Sequence, residues 1–134
     1  MATHATGSFN VQMTPQQTDD KAGGTSLGHL ALLKQYHGDL EADSTGEMLS
    51  AMTPVKGSAG YVAIERVTGV LGGRTGSFVL LHRGIMTAGT QEQSITVVPH
   101  SGNGELTGIS GQLAMTVVDG KHSYDLEYTL SDGS

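Results

Sequence analysis

Residues 61–86 read YVAIERVTGVLGGRTGSFVLLHRGIM, two largely apolar runs, 61–70 and 75–86, on either side of a Gly72-Gly73 pair. Two glycines between runs of β-forming residues signal a hairpin, because the turns that match strand twist need positive φ at both central positions. Centring the hairpin there pairs Val70 with Thr75, Val67 with Phe78, Glu65 with Leu80 and Ala63 with His82. Alternation then sorts the ionisable side chains by face. One face carries Tyr61, Ala63, Glu65 and Val67 beside Phe78, Leu80, His82 and Gly84. The other carries Val62, Ile64, Arg66 and Thr68 beside Val79, Leu81 and Arg83. Buried charge is costly unless it is partnered. Glu65 and His82 are diagonal neighbours at roughly 7–8 Å between backbones, within side-chain reach, so they are expected to meet. Arg66 and Arg83 can lay their stems over apolar surface and keep their heads in water. The first face is expected to look inward.

The C-terminal register is equally well defined. Asp119-Gly120 suits a two-residue turn, which pairs Val118 with Lys121, Met115 with Tyr124, Leu113 with Leu126, Gly111 with Tyr128 and Ile109 with Leu130. Apolar and aromatic groups then share one face while Ser123, Asp125, Glu127 and Thr129 take the other. A slip of one residue would invert that pattern.

The rest of the chain has the same texture, with twenty glycines spread through short runs of Val, Leu, Ile, Thr and Tyr. Residues 6–13 alternate, with Phe9, Val11 and Met13 on one side, as a half-buried strand does. The polar segment 14–26 reads as a surface loop with at most one helical turn. Residues 27–39 and 47–53 read as strands joined through 40–46. Residues 95–100 and 105–117 flank Ser101-Gly102-Asn103-Gly104, which suits another hairpin loop. No glycine-free window holds an apolar stripe of helical period. About eight successive antiparallel strands in one small domain avoid exposed edges by closing, so the expected fold is all-β, a single closed antiparallel barrel over residues 1–134. Such a barrel has room for its own side chains and one small ligand.

Composition narrows the functional classes. The chain has 134 residues, 37% hydrophobic and 15% charged, with a formal net charge of -6. It is long enough to bury a core of its own, and an acidic chain is a poor partner for nucleic acid. Zero cysteines exclude a disulfide framework and fit a reducing compartment, so a cytoplasmic location is expected. No apolar run approaches the length of a membrane span, and residues 1–9 lack the basic and apolar regions of a secretory signal.

Chemical motifs are sparse. There is no Walker loop, no nucleophile elbow and no His-Glu-x-x-His. His37, Asp39, Glu41, Asp43 and Glu47 cluster in sequence without the spacing of a metal motif, so no metal and no cofactor are expected. His4 is placed at a fraying terminus, and His100 and His122 beside exposed turns. Tyr36, Tyr124 and Tyr128 are expected inside, with their hydroxyls partnered.

The segments HGDLEADSTGEMLSA, GSAGYVAIERVTGVLGGRTGSFVLLHRGIM, VVPHSGNGELTGISG and HSYDLEYTL resemble a family of small bacterial proteins, domain of unknown function 3224. The likeness runs from residue 4 to residue 130, with only the loop around 14–26 unmatched. It implies a closed β-barrel similar to that of allene oxide cyclase, and no assigned activity. Many members of that family carry a tryptophan near the end of the first strand, where this chain has Met13. They read Phe-Val-Leu-Gln-His where this chain has Leu81 in the glutamine's place.

Three functions are compatible with these residues. The first is binding of a small apolar or amphipathic molecule in a lumen lined by Tyr61, Glu65, Phe78, Leu80, His82 and Tyr124. The second is a cofactor-free isomerase or cyclase in which Glu65 and His82 carry protons. The third is a structural or interaction module with a filled barrel. A homo-oligomer is expected, because Val62, Ile64 and Leu81 crowd the outer face of the hairpin.

Overall fold

The computed structural model describes residues 2–16 and 22–131. Its strands are β1 (Thr3–Gln16), β2 (Ser26–Gly38), β3 (Leu40–Met52), β4 (Ala59–Leu71), β5 (Arg74–Thr87), β6 (Thr90–Val97), the two-residue β7 (Asn103–Gly104), β8 (Ile109–Val118) and β9 (Lys121–Leu130). The eight long strands follow the order β4-β3-β2-β1-β9-β8-β6-β5, all antiparallel, and β4 pairs with β5 to close the barrel. Among the described residues there is no α-helix, only a single 3-10 turn at Ala22–Gly24.

Both hairpin registers read from sequence are present. Val67 opposes Phe78 and Ala63 opposes His82 across β4 and β5, and Met115 opposes Tyr124 across β8 and β9. Gly72 and Gly73 have φ of 55° and 85°, and Asp119 and Gly120 have 52° and 76°, as such turns require. A third turn of this kind, Ala88 at 50° and Gly89 at 95°, joins β5 to β6. Alanine rarely takes positive φ, which hid this turn in the sequence.

Three sequence expectations change. The segment 40–46 is strand, since only Asp39 separates β2 from β3; its inward positions Ala42, Ser44 and Gly46 are too small to give an apolar alternation. Residues 14–16 extend β1, with Met13 opposite Leu32 and Gln16 opposite His29, so only part of 14–26 lies between strands; 17–21 are outside the described residues. Finally, β6 and β8 are not a tight hairpin. Their ladder pairing is a single bridge, Thr96 with Gln112, and the connection between them carries β7 across to pair with Gly76 and Ser77 of β5.

The end of the barrel near the Gly72-Gly73 turn is solidly filled. Tyr36, Leu40, Val67, Leu71, Phe78, Leu80, Leu106 and Leu126 have essentially no exposed surface. The glycines opposite bulky inward groups make this packing possible. A Cβ on Gly46 would lie 2.3 Å from the Ile64 carbonyl oxygen and 2.8 Å from Glu65 Cβ; toward the other end, one on Gly84 would lie 2.3 Å from the Tyr61 ring.

Candidate functional site

Strand alternation turns Glu65 inward at the middle of β4 between Ala63 and Val67, and it is 0% exposed. An uncompensated carboxylate there would be strongly destabilising. Three residues answer it. Lys34 of β2 donates from Nζ to Oε2 at 2.7 Å, and Tyr36, two residues along the same inward face, donates from its hydroxyl to Oε1 at 2.5 Å. His82 of β5 brings Nε2 to 2.6 Å from Oε2, a contact that does not meet hydrogen-bond geometry. Burial pushes the Glu65 carboxyl up, but His82 and the Lys34 ammonium outweigh burial and hold it at about 2. Burial, reinforced by the Glu65 charge, raises the Tyr36 hydroxyl above its ordinary range, so it remains a proton donor to the carboxylate.

Aromatic rings enclose the cation. Lys34 Nζ lies 5.1 Å from the Phe9 ring centre and 5.9 Å from that of Tyr36, distances at which the ring faces attract it. Tyr36 meets Tyr124 edge-on at 5.5 Å. The Tyr124 hydroxyl accepts from the Leu40 N–H and donates to the His37 carbonyl, both at 2.9 Å, which ties β9 to the turn between β2 and β3.

The residues singled out from sequence therefore occupy different places. Glu65 and His82 meet. Phe78, Leu80 and Tyr124 are buried in the packed part of the barrel. Tyr61 is half-buried nearer the other end, where its hydroxyl accepts from Gln93 Nε2 at 2.7 Å. Arg66 and Arg83 are on the outside. His4 belongs to β1 rather than to a frayed end, with Nδ1 2.8 Å from Asp125 of β9. His122 is half-buried, its ring 5.0 Å from that of Phe9. Asp39 accepts from the Thr6 N–H at 2.9 Å, and His37 lies 3.6 Å from Glu41. Among the described residues no group of three or more acidic, His or Cys side chains is arranged to hold a metal, and no helix is long and apolar enough to cross a membrane.

Sequence reading missed Lys34. Its signal was the inward alternation of Leu30, Leu32, Lys34 and Tyr36 on β2, a cation within an apolar series. Sequence reading placed Met13 and Met115 on inward faces but left Met48, Met52 and Met86 unassigned. Met13, Met48, Met52, Met86 and Met115, five of the six in the chain, share the inward register of their strands: Met48 faces Ala63, Met52 and Met86 flank Ala59, Met13 faces Leu32 and Met115 faces Tyr124. Around the start of β4 this end of the barrel holds a recess of about 230 Å³ whose lining includes Leu30, Met48, Met52, Tyr61, Met86 and Gln91.

Comparison with known proteins agrees with this architecture. No curated protein matches the chain. A crystal structure from Shewanella oneidensis MR-1, described as a protein with unknown function from the DUF3224 family, is 52% identical over 99% of this chain and 100% of its own, with a TM-score of 0.95. The model of the DUF3224 family, proteins of unknown function, matches residues 5–128. The chain, with its inward Glu65 network and closed eight-stranded barrel, belongs to the DUF3224 family.

Proposed function

We propose that this barrel binds one small apolar or amphipathic molecule at its methionine-lined end. The observation carrying this reading is the recess bordered by Leu30, Met48, Met52 and Met86, with the Tyr61–Gln93 hydrogen bond as a polar feature at its side. Methionine is unbranched and polarisable, so it shapes itself to varied apolar ligands. Sites for drug-sized molecules usually run to about 300–1,000 Å³. A recess of about 230 Å³ suits something smaller, or one end of a longer chain.

In this reading the Glu65 network supports the site rather than performing chemistry. A carboxyl held at about 2 is a weak base at neutral pH, whereas a general base works best with a pKa near the operating pH. Its oxygens already face Lys34, Tyr36 and His82. The isomerase reading through Glu65 and His82 has less support for that reason, and the open recess favours binding over a wholly filled interaction module.

The test is a thermal-shift series with medium-chain fatty acids, the matching alcohols and small aromatic acids, followed by native mass spectrometry of the best binder. Stabilisation by at least one class, abolished by Met48→Glu, is expected. A complete lack of stabilisation and of bound species across all three classes would sink the proposal.

A further inference from the structure

The outside of the barrel over β3, β4 and β5 is unusually apolar. Leu49, Val62, Ile64 and Leu81 are exposed there, with Ile64 at 55%. Contiguous apolar surface of this kind marks an interaction site. Its relief is specific. Ile64 borders two depressions at once: a groove of about 540 Å³ bounded by Leu49, Val62 and Leu81, and a second of about 320 Å³ bounded by Thr45, Arg66 and Val79. Glu47 borders both. The face is therefore a ridge between grooves, with Glu47 and its partner His29 on one side of the ridge and Arg66 bordering the smaller groove.

We propose that this face is an isologous interface between two copies of this chain, each seating its Ile64 ridge in the larger groove of the other. A two-fold contact repeats the same patch on both sides, so the patch must complement itself in shape and in charge. A ridge beside a groove does so in shape. In charge, the arrangement would set Arg66 of each copy beside Glu47 of the other, where Glu47 already faces His29 Nε2 at 2.6 Å within its own chain. The chain as a whole has a net charge of -6 and only seven Lys and Arg. Arg66 and Arg83, two of those seven, both lie on this face. The proposal is independent of ligand binding at the recess.

Sedimentation equilibrium of the full chain at micromolar concentrations tests it. The expected mass is twice that of the chain. Ile64→Glu should give monomer with an unchanged far-UV spectrum, since the side chain is exposed. Arg66→Glu should raise the dimer dissociation constant roughly tenfold or more, and adding Glu47→Arg should restore most of the loss; this pair keeps the test valid if Ile64→Glu does not fold. A monomeric wild type, a trimer or other non-dimeric mass, or a dimer indifferent to both Ile64→Glu and Arg66→Glu would overturn the assignment.

Discussion

Lowering the pH should weaken this barrel through one carboxylate, and Glu65→Gln should remove that part of the response. In the fold the Glu65 carboxyl is held at about 2 against an ordinary 4.5. A group whose folded value is depressed stabilises the protein above its unfolded value, and the contribution disappears as the pH falls through the folded value. The window therefore runs from about pH 5 down to about pH 2. At about 1.4 kcal/mol for each tenfold difference in proton affinity, the residue contributes about 3 kcal/mol at neutral pH, a large share of the stability of a small domain. Urea unfolding followed by circular dichroism at intervals across the window measures it. The wild type should lose about 3 kcal/mol more than Glu65→Gln between pH 5 and pH 2, and the variant should already be weaker at pH 7 because Lys34 then sits inside without its anion. Taking the difference between the two proteins removes the titration of the exposed acids. Parallel curves across the window would refute the argument, since Glu65 would then titrate alike in the folded and unfolded chains.

Gly46→Ala should lower stability by about 1–3 kcal/mol, because its Cβ would press on the Ile64 carbonyl and on Glu65 and overpacking is paid in backbone displacement; an unchanged melting temperature contradicts this. Leu80→Ala should cost about 2–5 kcal/mol, as expected of a fully buried side chain in a filled region; a negligible change in chemical denaturation would place Leu80 beside an empty lumen. Hydrogen exchange should be faster at the β8-facing amides of Gln91 and Gln93 than in the β3–β4 ladder, because β6 and β8 are bridged only at Thr96 and Gln112. Equal protection in the two regions would show that the seam is closed.

The strands whose two faces differ in polarity were legible in the sequence. In the 61–86 hairpin, Val67 opposite Phe78 and Glu65 opposite Leu80 follow from the glycine turn alone, and the same holds for Leu113 opposite Leu126. Where inward residues are small, as at Ala42, Ser44 and Gly46, the alternation carries no hydrophobic contrast, and half of β3 read as a linker. The β6–β8 seam was read as a hairpin because Gly102 and Gly104 resemble turn residues. Local turn chemistry contains no information about β7 crossing to β5. In the candidate site, the sequence brought Glu65 to His82, since both lie on one hairpin. Lys34 and Tyr36 come from β2, two strands from β4, and their approach depends on barrel closure.

By itself, then, the sequence determined which residues of the opening hairpin share a face and that a buried carboxylate on that face would require partners, because register within a hairpin is a local property of turn and alternation. Only the tertiary structure decided that Lys34 and Tyr36 join His82 as those partners, that Phe78, Leu80 and Tyr124 fill the barrel, and that Met48, Met52 and Met86 border a recess toward its other end. Those placements depend on strand order and on the curvature that closes the sheet, which bring together positions far apart in the chain.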